Sequence, residues 1–166
     1  MLFDQEIVEQ IRQLGSDLQG IGRILSNYKH SEIERLKFLI NTKCTNFLRL
    51  EFELNRIGNS ADYLAKAGII FFDYGKSDNP LKDKQTEFEQ MILSGGFSEA
   101  NTRACGVTGR TSVNAQYNKL LKETSAYWIY RVRSSIAHHR IGEYLMTNED
   151  EEFVTEVVEP LLEFYI

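Results

Sequence analysis

Apolar residues recur at helical spacing along most of the chain. Near the N-terminus they step by alternating four and three residues, the a/d pattern of a helix that packs along one seam. The seam consists of Ile7, Ile11, Leu14, Leu18, Ile21 and Leu25. This pattern predicts an amphipathic helix over roughly residues 3–27. We therefore assign residues 1–28 to a packing or dimerisation segment and residues 29–166 to a helical bundle.

Two further helices are predicted in the segment that follows. Ser31 and Glu34 have the spacing of a capping box, in which two side chains satisfy free amides at a helix start. The apolar residues after it cover a wide arc, which predicts a central helix that runs to residue 57 and stops at Gly58. Residues 61–74 predict a third helix, although the run 69–72 would also suit a short strand.

Proline and glycine mark the next boundaries. Pro80 follows a polar loop and suits the first position of a helix, because that position needs no amide donor. Gly95 and Gly96 are expected to end this helix. Residues 97–111 have no decisive pattern, so the sequence leaves them unassigned.

A long helix is predicted from Thr111 or Ser112 to about Ala137. Its apolar stripe has the spacing of one buried face and consists of Val113, Tyr117, Leu121, Thr124, Trp128 and Val132. Asn148 is expected to cap a C-terminal helix that Pro160 kinks or shortens. Together these patterns predict an all-α, up-and-down bundle of four to six helices.

The composition limits the class of protein. Cys44 and Cys105 are too few for a disulfide framework and lack metal-ligand spacing, so we expect reduced thiols and no metal site. No apolar run approaches the ~20 residues of a membrane helix, and the acidic N-terminus lacks the basic region of a secretory signal. These features predict a cytoplasmic protein that does not enter a membrane.

Charge is unevenly distributed along the chain. The formal net charge is −5, yet residues 101–140 hold seven basic residues and one acidic residue. Residues 149–163 hold seven acidic residues and no basic one. Such a chain is a poor general coat for nucleic acid, but its basic stretch could offer a local phosphate site.

Candidate chemistry concentrates in residues 130–140, Tyr-Arg-Val-Arg-Ser-Ser-Ile-Ala-His-His-Arg. His138 and His139 can exchange protons near neutral pH, and an arginine such as Arg133 binds phosphate oxygens with a planar set of donors. A proton carrier beside a fixed positive charge is what phosphodiester cleavage requires. Arg133 and His138 lie about 140° apart on a continuous helix. They therefore converge only if the helix ends or bends near His138, or if two subunits each contribute one residue.

The run Arg133-Ser134-Ser135-Ile136-Ala137-His138 resembles the signature of HEPN domains, in which an arginine is followed by a polar residue, a short spacer and a histidine. The all-helical setting and the position before a final helix are also similar to that family. HEPN ribonucleases are small helical bundles that dimerise. Their motifs meet across the dimer interface and cut RNA without a metal.

The resemblance implies a metal-independent endoribonuclease that acts on RNA as a homodimer, without a cofactor, in a toxin or antiviral setting. An antitoxin or another regulatory protein would be a further partner. Arg133 would hold the scissile phosphate, and His138 would act as general acid or base, with His139 an equally allowed histidine. The supporting or RNA-binding residues would be Ser134, His139, Arg131 and Arg140.

Two other functions also fit parts of the sequence. Some HEPN-like domains are non-catalytic interaction or nucleotide-binding modules, and the N-terminal seam and acidic tail would suit such a role. Residues 98–121 resemble a helix-turn-helix DNA-binding motif with Gly106 at the turn. In that interpretation Arg110, Asn114 and Gln116 would reach phosphates or base edges. The sequence alone leaves these alternatives open.

Overall fold

The computed structural model describes residues 8–9, 12–13, 17, 32–72, 78–109, 114–137 and 146–163. Within these ranges the chain forms helices and no strands, so the predicted all-α bundle is confirmed. None of the helices in these ranges is both long and apolar enough to cross a membrane. The predicted N-terminal helix, and with it the assignment of residues 1–28, falls almost wholly outside the described residues.

The helices are α1 (Glu32–Lys43), α2 (Phe47–Asn55), α3 (Ala61–Phe72), α4 (Gln85–Leu93), α5 (Glu99–Ala104), α6 (Asn114–Ala137), α7 (Glu151–Phe153) and α8 (Glu159–Glu163). Short 3₁₀ turns cover Arg56–Asn59 and Asn148–Asp150, and a π-helical segment, Val154–Val158, joins α7 to α8. The segment that suited either a helix or a strand, 69–72, is the last turn of α3.

Helix α6 lies at the centre of the bundle and packs against α1, α2, α3, α5 and α8. The predicted apolar stripe is confirmed, because its described members Tyr117, Leu121, Thr124, Trp128 and Val132 are all buried. Val113 lies outside the described residues. Phe71 of α3 stacks on Trp128 with 4.8 Å between the ring centroids. Such aromatic contacts join α3 to α6 in the centre of the core.

The predicted continuous second helix is interrupted at residues 44–46. Asn46 Oδ1 accepts a hydrogen bond from the amide of Arg49 at 3.0 Å and so caps a new helix. Ile40 of α1 and Leu50 of α2 are both fully buried. Because both pieces bury their apolar faces in one core, the hydrophobic pattern carried no sign of the break.

Pro80 does not begin α4, contrary to the prediction. The buried Asn79 side chain accepts a hydrogen bond from the amide of Leu81 at 2.8 Å and donates to the carbonyl of Phe71. These bonds hold the chain in a turn, and α4 begins only at Gln85.

The end of α4 is where the glycines predicted it. Gly95 and Gly96 have φ angles of +135° and +78°, which a residue with a Cβ rarely adopts. After Gly96 the amide of Phe97 donates to Asn55 Oδ1, while Asn55 Nδ2 donates to the carbonyl of Phe97. This reciprocal pair ties the turn to the end of α2.

Thr147, and not Asn148 as predicted, caps the C-terminal helical segment. Thr147 Oγ1 accepts from the amide of Glu149 at 3.3 Å, and the Asp150 carboxylate accepts from the amide of Thr147 at 2.9 Å. Threonine and aspartate therefore form a reciprocal capping box.

Pro160 is expected to kink or shorten the C-terminal helix, yet helical structure continues through it, and Pro160 is the second residue of α8. A regular helix would pair the amide of residue 160 with the carbonyl of Glu156, but proline has no amide hydrogen. The π-helical segment ends two residues before Pro160. Arg56 Nη1 donates to the Glu156 carbonyl at 3.3 Å. A side chain from another part of the bundle thus bonds to the carbonyl that a regular helix would pair with residue 160.

Candidate functional site

The described part of the HEPN-like motif lies on the last turns of α6. Arg133 and Ile136 are exposed there, whereas Ser134 and Ser135 are buried. Ser135 Oγ donates to the carbonyl of Arg131 at 2.9 Å, a hydrogen bond to the preceding turn of the helix. The motif therefore presents its arginine to solvent and packs its two serines inward.

Arg131 and Ser134, which the resemblance implies as supporting or RNA-binding residues, are both buried. Arg131 is 1% exposed, and its Nε donates to the carbonyl of Ile70 at 3.0 Å. It follows Trp128 by three residues and so continues the buried face of α6. Arg131 thus joins α6 to the end of α3. This placement makes it a structural residue, and an RNA contact by Arg131 or by Ser134 has no support in the geometry.

His138, His139 and Arg140 lie outside the described residues. The described part of α6 runs to Ala137, directly before the first of these histidines. The convergence of Arg133 and His138 on one phosphate therefore stays a prediction, and so does the supporting contact assigned to Arg140.

Two lysines share the face of α6 that carries Arg133. Lys122 and Lys119 precede it by eleven and fourteen residues, which places them about 20° and about 40° from it around the helix. Lys122 Nζ donates to the carbonyl of Asn41 at 3.2 Å, and Lys119 pairs with Glu123 at 3.8 Å. The two lysines share the helix face of Arg133 but lie about 16 Å and about 21 Å from it along the axis of α6.

A second group of cations surrounds an exposed aromatic ring on α2 and was not predicted. Arg49, Phe52, Glu53 and Arg56 form this group, here named the Phe52 cluster. The guanidinium carbons of Arg49 and Arg56 lie 5.8 Å and 5.4 Å from the centroid of the Phe52 ring. Phe52 is still 56% exposed.

Glu53 holds the two arginines of the Phe52 cluster in place. Its side chain is fully buried, and its carboxylate pairs with Arg49 Nη2 and Arg56 Nε, both at 2.5 Å. The sequence signal was the spacing, because an acid with arginines four residues before and three residues after it meets both on one helix face.

Helix α2 runs antiparallel to α6. Phe47, at the start of α2, lies beside Lys122, with 5.1 Å between its ring centroid and the lysine Nζ. One turn later, Glu51 accepts a hydrogen bond from the hydroxyl of Tyr117. Burial and this hydrogen bond raise the pKa of Tyr117 well above its usual range. The Phe52 cluster therefore lies toward the N-terminal end of α6.

The connection between α5 and α6 is longer than the turn of a helix-turn-helix motif. Gly106 does adopt the left-handed conformation, with φ of +78°, and Asn114 and Gln116 are exposed. However, the described residues 105–109 already separate α5 from α6, whereas the DNA-binding turn has about three or four residues. Arg110 lies outside the described residues.

Cys44 is a buried free thiol, and Cys105 is a half-buried one. In the described ranges, no three His, Cys, Asp or Glu side chains come together as a group that could hold a metal ion. No protein-family model, curated protein or solved structure matches this chain significantly. A functional assignment therefore depends on the residues of the site itself.

Proposed function

We propose that this chain is a HEPN-like, metal-independent endoribonuclease. The exposure of Arg133 carries the proposal: the arginine of the HEPN-like motif faces solvent near the end of the central helix, while its neighbours Val132 and Ser134 are buried. A guanidinium in this position can bind two phosphate oxygens at once. The cations Lys119 and Lys122 on the same helix face support an approaching phosphate chain.

The proposed reaction uses the RNA's own 2′-hydroxyl. The 2′-oxygen attacks phosphorus, the bond from phosphorus to the 5′-oxygen breaks, and the products are a 2′,3′-cyclic phosphate and a 5′-hydroxyl. His138 is assigned the proton transfer from the 2′-hydroxyl or to the leaving oxygen, with His139 as the alternative. Arg133 stabilises the additional negative charge on the transferring phosphate. DNA, which lacks the 2′-hydroxyl, is not cleaved in this scheme.

We infer that the active form is a homodimer in the cytoplasm. Ile136 is 55% exposed and lies one turn from Arg133, so a second copy that covers this apolar side chain would bring two motifs together. Two copies would also let Arg133 of one subunit and His138 of the other act on one phosphate. An antitoxin or another regulatory protein would act by covering the same surface.

The test is cleavage of a labelled single-stranded RNA by purified protein with excess chelator. Arg133→Ala is expected to lower the cleavage rate by about 10²–10³-fold, the usual effect of removing one charge-stabilising donor. Lys82→Ala removes an exposed cation in the turn before α4 and is the matched control, which should cleave like wild type. Separate His138→Ala and His139→Ala variants identify the working histidine. Equal rates for wild type and Arg133→Ala would contradict the proposal.

A non-catalytic interaction module is the second candidate, and one surface favours it. A groove of about 550 Å³ lies between α3 and α4 and includes the apolar side chains Leu64, Ile69, Phe72 and Leu93. Leu93 and Ile69 are large exposed apolar residues at this groove. Folded wild-type protein that leaves all RNA intact, together with self-association that Leu93→Asp abolishes in sedimentation, would favour this candidate.

A further inference from the structure

We propose that the Phe52 cluster is a contact site for single-stranded nucleic acid. In this site one base stacks on the Phe52 ring while Arg49 and Arg56 contact the neighbouring phosphates. The inference deepens the proposed function, because RNA as the natural ligand rests on that function. The site would add a contact with the strand outside the cleavage centre.

The aromatic part of the site is an exposed ring on the outer face of α2. Leu50 and Leu54 of α2 are fully buried, whereas Phe52 is 56% exposed. An exposed aromatic ring flanked by cations is the element on which single-stranded nucleic acids stack their bases, and stacking tolerates any base. Duplexes are poor ligands for such a site, because their bases are already stacked within the helix.

The cationic part of the site is held in place before any ligand binds. The buried Glu53 carboxylate forms an ion pair with each guanidinium group, and Arg56 also donates a hydrogen bond to the carbonyl of Glu156. The Glu156 carboxylate itself accepts a hydrogen bond from Tyr63 at 3.0 Å. Two arginines around one glutamate leave a net positive charge beside the ring. Fixed side chains lose little conformational freedom when a phosphate binds, which favours binding.

The positive charge beside Phe52 is that of Arg49 and Arg56. Arg131 of α6 is buried, and the acidic C-terminal segment contacts α2 and the turn that holds Arg56. The match with a polyanion is therefore local to the two guanidinium groups around the ring. An uncharged protein partner could pack on the ring but would offer no counter-charge to the guanidinium groups. Single-stranded nucleic acid offers bases that stack on the ring and phosphates that pair with the guanidinium groups.

The Phe52 cluster and Arg133 are separate sites. The cluster lies near Tyr117, because Glu51 of the same helix bonds to that residue. Arg133 follows Tyr117 by sixteen residues, which corresponds to about 24 Å along the axis of α6. Substitutions at Phe52 therefore leave the proposed cleavage centre untouched, and the two proposals can be tested independently.

Fluorescence anisotropy with labelled 12-nucleotide polyuridine, its DNA counterpart and an RNA duplex tests the inference. Phe52→Leu keeps the apolar volume but removes the aromatic face, so it is expected to weaken binding of both single strands by roughly 5- to 150-fold. Phe52→Trp retains an aromatic face and should bind at least as well as wild type. Leu48→Ala is the matched control: Leu48 lies one turn earlier on α2 and is 79% exposed, and its loss should leave the affinity unchanged.

Wild-type affinity for single strands above that for the duplex, lost in Phe52→Leu and kept in Phe52→Trp, is the expected result. Equal affinities of wild type and Phe52→Leu would overturn the inference. So would a change in sedimentation behaviour without a change in RNA affinity, because the surface would then be a protein interface. Wild-type protein that binds RNA through Phe52 but does not cut it would refute the ribonuclease and leave the binding site standing.

Discussion

Removing the two arginines around Glu53 is expected to destabilise the fold more than removing the charge of Glu53. The reason is a difference in burial. The Glu53 side chain is fully buried, whereas the side chains of Arg49 and Arg56 are 51% and 30% exposed. In the Glu53→Gln variant, the partly exposed guanidinium groups can reorient and be solvated by water. After loss of both arginines the carboxylate stays in the core without a counter-charge.

The magnitudes follow from this asymmetry. Glu53→Gln removes two interactions between charged groups but strands no charge, so the free energy of unfolding should fall by about 1–3 kcal/mol. The double variant Arg49→Met/Arg56→Met keeps the apolar stems and strands a buried carboxylate, which typically costs about 3–5 kcal/mol. Adding Glu53→Leu to the double variant removes the stranded charge and should recover most of the loss, since apolar replacements of a buried ion cluster are often neutral.

Urea unfolding followed by circular dichroism at neutral pH measures these differences, provided that all variants unfold with similar dependence on urea. Wild type is predicted to be the most stable, followed by Glu53→Gln, and the double variant the least stable. The triple variant is predicted to be more stable than the double variant. A double variant as stable as Glu53→Gln, or a triple variant no more stable than the double, would refute the reasoning. Either result would mean that Glu53 is effectively solvated or uncharged in the folded protein.

Two further predictions concern the backbone and the centre of the bundle. Gly96→Ala should lower the free energy of unfolding by about 2–3 kcal/mol, because φ is +78° and the new Cβ would collide with Asn55 Oδ1. Gly109→Ala, whose Cβ meets no atom within 4 Å, should change stability by less than about 1 kcal/mol in the same urea titration. Arg131→Met should lower thermal stability by about 1–3 kcal/mol, whereas Arg133→Met should stay within about 0.5 kcal/mol of wild type. Equal melting temperatures for Arg131→Met and Arg133→Met would show that the two arginines contribute equally to stability despite their different burial.

The sequence predicted correctly the helices whose apolar residues, at helical spacing, are buried on one face. The stripe from Tyr117 to Val132 is buried along the central helix, and the glycines after α4 adopt the conformations that end it. Local side-chain hydrogen bonds decided the boundaries that periodicity missed. Asn46 starts a new helix inside an uninterrupted apolar pattern, and Asn79 closes a turn where Pro80 suggested a helix start.

The candidate site was less predictable because residue type does not determine exposure. The family resemblance implies an RNA contact for both Arg131 and Arg133, yet two residues along a helix correspond to about 200° of rotation and put them on opposite faces. The position of Arg131 on the buried stripe of Trp128 was the available signal. The Phe52 cluster matches no known motif, and an acidic residue flanked by two arginines is usually part of a solvated helix face.

RNA cleavage in excess chelator, by wild type and by Arg133→Ala at matched folded concentration, tests the central claim most directly. The account predicts that wild type cuts single-stranded RNA to fragments with 2′,3′-cyclic phosphate and 5′-hydroxyl ends, and that Arg133→Ala is slower by about 10²-fold or more. A single 2′-deoxy substitution at the cleaved position should block the cut. Cleavage that requires a divalent metal, or that proceeds equally well without Arg133, would contradict the account.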